Sequence, residues 1–211
     1  MFAIADEVLD LCRSVGHEAT VLAVLADGLR NGPSDGAVLH QAINDARDLT
    51  VPLEAWRDVY RAFGAKPQRT PCSAEALRKR AARGDVPVVD RLVDAYNAVS
   101  IRFAVPIGGE DRLALAGTER LVRAAGDEPF DTVKEGAPVV ETPEPGEVIW
   151  RDDLGVTCRR WNWRQGRRTA ITAATTSAVF LLEGLDTDLT PAATMLAELI
   201  DADTVTVQRL A

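Results

Sequence analysis

The chain has 211 residues, 46% of them hydrophobic and 27% charged, with a formal net charge of −8. This is ordinary globular material, enough for one compact unit over residues 1–211, and its acidity opposes indiscriminate binding of nucleic acid. No apolar run reaches the roughly 18 residues of a membrane span, and "MFAIADEVLD" carries acids where a signal peptide is basic and then apolar, so a cytoplasmic protein is expected.

A short opening strand and a helix around residues 5–14 precede "HEATVLAVLADGLRNG", which reads as a buried strand closed by a turn. "SDGAVLHQAINDARDL" and "PLEAWRDVYRAFG" have helical periodicity, the second opening at Pro52 and closing on Gly64. In "SAEALRKRAARG", Ser73 is placed to cap a helix, and Arg78, Lys79, Arg80 and Arg83 crowd its negative end. Val89, Leu92, Val93 and Tyr96 mark one face of the next helix, and the pattern breaks at "PIGGED". From residue 113 strand-like runs dominate: "LALAG", "ERLVRA", "GEVIWRD", "VTCRRWNW" and "RTAITAATTSAVFLLEGL". "KEGAPVVETPEPGE" reads as an exposed connection, "TPAATMLAELIDAD" as a helix capped by Thr190, and "TVTVQRL" as a last strand. Helices in the first half and strands in the second imply an α+β fold.

Cys12, Cys72 and Cys158 are odd in number and far apart, which fits free thiols and neither a disulfide framework nor a zinc site. His17 and His40 lie near the start, outside any catalytic spacing, so neither metal nor cofactor is expected. The unusual stretch is "CRRWNWRQGRRT", residues 158–169, with five arginines and two tryptophans in an acidic chain. Period-two alternation would put Trp161 and Trp163 inside a strand and Arg160 and Arg164 in solvent. Indole and guanidinium groups also stack on bases and grip phosphates, so contact with RNA is the competing reading.

The order "WRDVYRAFGAKP", "SAEALRKRAARGDVPVVDRLVDAYNAVSIRFAVPIGGED", "GEVIWRDDLGVTCRRWNWR" and "TTSAVFLLEG" resembles the B3/4 domain, closely over residues 50–185. That domain is the editing module of the bacterial phenylalanyl-tRNA synthetase β subunit and also occurs free-standing; it hydrolyses tyrosine wrongly attached to the phenylalanine tRNA. The resemblance implies a mixed α/β fold of the PheT/TilS type and a solitary module, with tRNA or aminoacyl-tRNA as partner. Asn97 in "DAYNAVS" matches a pocket asparagine, while Tyr96 replaces a threonine. In "FAVPIGGED", Pro106 and Asp111 match, but Gly108 stands where the synthetase has a pocket histidine. "WNWR" replaces a glycine-rich pocket wall, and Glu183 matches the glutamate that reads the misplaced amino acid. With the histidine gone and the wall rebuilt, tyrosine specificity does not carry over.

These matches imply Asn97, Gly108 and Gly109 as catalytic residues, and Tyr96, Trp161, Asn162, Trp163, Thr175 and Glu183 as substrate-binding residues. Arg160, Arg164, Arg167 and Arg168 would receive the tRNA. Each has a plainer alternative: Asn97 a helix cap, the glycines a turn, Glu183 an internal salt bridge, and Thr169, Thr172, Thr175 and Thr176 ordinary strand residues. Function is then proofreading of mischarged aminoacyl-tRNA in trans, non-catalytic binding of tRNA or an amino-acid-like ligand, or hydrolysis of a small non-tRNA ester or amide. An aminoacyl ester is already activated, so positioning and desolvation can hydrolyse it without a histidine.

Overall fold

A computed structural model describes residues 1–46, 48–50 and 53–211, and among them are eleven strands and six α-helices. In chain order these are β1 (Phe2–Ile4), α1 (Asp6–Ser14), β2 (Ala19–Asp27), α2 (Ala37–Asp45), α3 (Glu54–Ala62), α4 (Ser73–Ala81) and α5 (Arg91–Phe103). Then follow β3 (Ile107–Asp111), β4 (Glu119–Arg123), β5 (Phe130–Lys134), β6 (Ala137–Glu141), β7 (Val148–Arg151), β8 (Val156–Arg159), β9 (Arg164–Gln165), β10 (Ser177–Leu185), α6 (Thr190–Leu199) and β11 (Thr204–Arg209). This is the expected α+β class.

Two sheets packed face to face organise the chain. One has strand order β11-β2-β10-β3, paired antiparallel throughout. The other has order β1-β4-β7-β8-β9, with only β1 and β4 parallel. Every residue of β10 is buried, as the unbroken run "SAVFLLEGL" requires of a central strand covered on both faces. Alternation along it sorts the core. Ala178, Phe180 and Leu182 meet α5 and α6 through Leu92, Ala95, Val99, Leu189, Ala193 and Leu196. Val179 and Leu181 face the other way, toward Leu121, Val148 and Trp150 of the second sheet and Trp56, Val59 and Tyr60 of α3. Trp56, Val59, Tyr60 and Phe63 recur at helical spacing, which makes this one buried face of α3.

Several sequence expectations are corrected. The helical pattern does break before "PIGGED", where α5 ends at Phe103, but the glycines make no turn: Ile107–Asp111 is edge strand β3, paired with β10. "KEGAPVVETPEPGE" contains β6, which forms a hairpin with β5. "LALAG" holds part of a single 3-10 turn, Arg112–Ala114, and no strand. The strand of "VTCRRWNW" stops at Arg159, because Arg160 and Trp161 take φ of 47° and 63°. Two successive side-chain-bearing residues in the left-handed region break the alternation that extended backbone would have imposed. Ser73 and Thr190 do not cap their helices: Cys72 and Leu189 hold the N-cap positions, with no side-chain cap bond. Pro52 lies outside the described residues.

The tight return from β7 to β8 depends on Gly155. Its φ is 157°, and a Cβ there would stand 2.4 Å from the Pro129 carbonyl oxygen. That carbonyl cannot retreat freely, since it accepts from Val156 N at 2.9 Å. Gly155→Ala is therefore expected to lower stability by about 1–3 kcal/mol, the usual cost of a backbone conformation reserved for glycine. Chemical denaturation checks this, and an unchanged midpoint would overturn it.

Candidate functional site

Between the two sheets lies a cavity of about 100 Å³, walled by Ile107, Gly108 and Glu110 of β3, Leu181 and Glu183 of β10, Trp150 and Cys158 of the second sheet, Ser73 of α4, and residues 161–165. Strand alternation assembles it. Gly108 pairs with Leu181, and Glu110 with Val179, so Gly108, Glu110, Leu181 and Glu183 share the face of the first sheet that looks at the second. In the second sheet the register between β7 and β8 shifts beside Trp150, a bulge that places Trp150 opposite Cys158 at the cavity wall.

Glu183 is 2% exposed and has no cationic partner among the described residues. Its Oε1 accepts from Trp150 Nε1 at 2.6 Å and Trp161 Nε1 at 2.9 Å, and its Oε2 accepts from Asn162 Nδ2 at 2.8 Å. Asn162 is fixed in turn by the buried Tyr60 hydroxyl, which donates to Asn162 Oδ1 at 2.9 Å. The left-handed turn makes this possible, because it buries Trp161 and Asn162 side by side where an extended strand would send them to opposite faces. Trp161 N donates to Val148 O at 2.6 Å, and Arg160 N to Glu147 Oε1 at 3.0 Å. Trp161 also meets Trp56 edge to face, with ring centroids 5.1 Å apart.

Burial pushes the Glu183 carboxyl from the ordinary 4.5 up to about 8, with its three N–H donors pulling the other way. Glu110, 2% exposed, is also raised well above the ordinary range, by burial and then by the charge of Glu119, itself raised to about 7 chiefly by burial. Gln165 Nε2 donates to Glu110 Oε1 at 3.0 Å, whereas Glu110 Oε2 has no partner. The buried Thr169 hydroxyl stands beside Glu110 and lowers its raised carboxyl somewhat, as does Gln165. Ser73 Oγ is a further buried polar atom without a partner.

The B3/4 domain profile matches residues 55–195, a span that contains every residue lining this cavity. The chain belongs to the B3/4 domain family. Among solved structures, an N-terminal fragment of the phenylalanyl-tRNA synthetase β-subunit from Pyrococcus horikoshii is similar at 13% identity and a TM-score of 0.42, over 98% of this chain and 50% of that one. This chain thus spans half the length of that fragment. No curated protein matches it.

In this B3/4 chain the cavity brings together Gly108, Trp161, Asn162, Trp163, Arg164 and Glu183 from the expected set. Tyr96 and Asn97 are not among its lining residues. They belong to α5, on the opposite face of the first sheet, where Tyr96 packs against Phe180 at 6.0 Å. Asn97 is interior to that helix, whose cap is Asp90, accepting from Val93 N at 2.9 Å. The glycine N–H groups do not converge on one point. Glu183 N donates to Pro106 O at 3.0 Å, which puts Gly108 in a hydrogen-bonded pair with Leu181 and commits its N–H to the ladder. Gly109 turns its main chain to the sheet edge, where its carbonyl accepts from Gln165 Nε2 at 2.8 Å. Thr175 braces a loop, donating to Asp111 Oδ2 at 2.7 Å.

The arginines divide. Arg168 is clamped to Asp152 by two bonds of 2.8 and 2.7 Å, and Arg160 lies over Trp163 at 4.3 Å and 3.6 Å from Glu147. Arg164 donates to Val133 O at 2.7 Å, and Arg167 is exposed, its guanidinium unpaired among the described residues. Sequence reasoning missed Ser73, Glu110, Trp150, Cys158 and Gln165 as cavity residues. Reading "PIGGED" as a strand would have put Glu110 on the face of Gly108.

The raised carboxyl has a testable sign. The folded protein holds a proton on Glu183 that the unfolded chain releases above 4.5, so this group's stabilisation is complete below 4.5 and is lost as pH rises toward about 8. Glu183→Gln removes that dependence. Its amide is accommodated if Asn162 turns over and the Tyr60 hydroxyl reverses its bond. Unfolding measured from pH 4.5 to 8.5 should show the variant losing less stability than the parent as pH rises; parallel profiles would refute the assignment.

Proposed function

We propose that this chain binds the aminoacyl end of a tRNA in the Glu183 cavity and hydrolyses the ester of a wrongly attached amino acid, acting in trans. The observation that carries the reading is a cavity within the B3/4 segment, with the fixed Glu183 carboxyl and Arg164, beside Trp163, in its wall. In its ionised form the Glu183 carboxylate offers about four lone pairs, of which three are used, so Oε2 then has room for a water or a ligand N–H. The ionised fraction of a carboxyl raised to about 8 is basic enough to take a proton from a water attacking an activated ester, and the protonated group then returns it to the ribose oxygen as the acyl–oxygen bond breaks. The apolar wall excludes bulk water, which strengthens that interaction.

A second reading is selective binding without catalysis. It is favoured by the three donors that already hold Glu183, since a carboxylate so fixed suits recognition as well as proton transfer. Burial raises the Cys158 thiol well above its usual range, which makes it a poor nucleophile.

A deacylation screen over correctly and wrongly charged tRNAs tests the proposal: ester cleavage of a mischarged species and sparing of the correct one are expected. Retention of aminoacyl-tRNA without cleavage would leave the second reading, and neither cleavage nor retention would point to a small non-tRNA substrate. Changing Arg164 and Arg167 together to Gln should weaken tRNA binding and flatten the log–log salt slope by roughly 0.7 for each phosphate that is no longer neutralised. Unchanged affinity and slope would remove these arginines from the interface.

A further inference from the structure

Three polar groups around the cavity have unused hydrogen-bonding capacity, and all three can accept. Ser73 Oγ is buried without a partner, Glu110 Oε2 has only the Thr169 hydroxyl near it, and Glu183 Oε2 carries only the bond from Asn162. Glu110 is 2% exposed and lines the cavity beside Gly108, its neighbour on the same face of β3. Burial keeps both carboxyls protonated in the empty cavity, and an entering cation draws them to the ionised form in which their oxygens accept. The complement of three acceptors is a primary ammonium, with three N–H bonds to give. Space sets the second limit. A cavity of about 150 Å³ accommodates a benzene ring, and this one, at about 100 Å³, is smaller.

We infer that the cavity selects a small amino acid by its free α-ammonium group, held among Glu110, Glu183 and Ser73, and excludes aromatic amino acids. The inference rests on the reading of this cavity as an aminoacyl site and names the class of acyl group it takes. Trp161 and Trp163 set the size limit, and Gly108 leaves the room that remains. Adding a Cβ at Gly108 meets the Gln165 side chain, at 3.4 Å from Nε2 and 3.8 Å from Cδ, so Gly108→Ala narrows the cavity without forcing the backbone.

Amino-acid amides are stable stand-ins for the ester, and their binding to the full chain can be followed by calorimetry. Alaninamide, serinamide and threoninamide are expected to bind, and tyrosinamide and phenylalaninamide to bind at least about tenfold more weakly. N-acetylserinamide, which lacks the ammonium, should lose about tenfold or more. Glu110→Gln should bring the same loss for serinamide while melting no lower than the parent, because the amide has the size of the protonated carboxyl that burial favours in the empty cavity. Gly108→Ala should weaken threoninamide more than alaninamide. Aromatic amides binding as tightly as small ones, acetylation without effect, or no binding of any amide would each overturn the inference. The two proposals fail separately. Cleavage of aromatic but not small aminoacyl-tRNAs would keep the editing reading and discard the size limit. Amide binding as expected, with no charged tRNA cleaved, would keep the selectivity and discard the hydrolysis.

Discussion

A carboxyl group taken out of water without a counter-ion must be held by donors, and the structure is arranged around the three that hold Glu183. Trp150 comes from β7, Trp161 and Asn162 from the turn after β8, and Asn162 is braced by Tyr60 of α3. Two packed sheets and a helix therefore meet at one side chain. Bonds to a charged acceptor contribute about 1.5–3 kcal/mol each, against several kcal/mol for removing the charge from water, so losing any one donor leaves the group undercompensated. The same sharing keeps the cavity in shape. Each donor is a bulky or doubly bonded side chain whose rotation would break a bond to Glu183, and the wall they form is fixed before any ligand enters.

This arrangement depends on a turn that is unfavourable in isolation. Arg160 and Trp161 both lie in the left-handed region, at about 1–3 kcal/mol each for residues with side chains. What offsets that cost is local. Arg159 forms a two-bond pair with buried Glu147, at 3.0 and 2.8 Å, and Glu147 also accepts from Arg160 N. Trp161 gains a main-chain bond to β7, an edge-to-face contact with Trp56 and its bond to Glu183. Strain gathered beside a cavity with unpaired polar atoms is the pattern of a binding site rather than of a plain β-hairpin, where a glycine would relieve it.

Local periodicity made much of the scaffold legible. The helices from α1 to α6, the long strands β2 and β10, and the last strand all follow from apolar spacing, and Glu183 emerges from the run "VFLLEG" as a buried acid. The remainder was hidden for particular reasons. "PIGGED" lacks the β-branched and aromatic residues that advertise a strand, and its pairing comes from β10, far away in sequence. In "RRWNWR" the alternation is real in the letters but void in space, since two left-handed residues reset the faces. Asn97 and Tyr96 were chosen by motif match, whereas the sheet places their helix behind the cavity wall. Ser73 looked like a cap because it opens a helix, and only the fold shows it lining the cavity with its hydroxyl buried and unpartnered.

The arginine-rich stretch can now be reconciled with a net charge of −8. Arg159, Arg160 and Arg168 direct their charge to the buried Glu147 and Asp152 and the partly exposed Glu141, so most of the apparent basic cluster is internal neutralisation of acids. Arg164 and the exposed Arg167 are the members not committed to a carboxylate among the described residues, and Trp163 lies between Arg160 and Arg164, 4.3 and 6.0 Å from their guanidinium carbons. A rim of this kind attracts an anion only at short range, within a Debye length of roughly 8 Å at physiological salt, while the remainder of the surface repels a polyanion. Long nucleic acid lying across the protein would meet that repulsion along its length. A single chain end entering beside Trp163 would meet the rim and little else, and the charge distribution thus favours a terminus over a duplex.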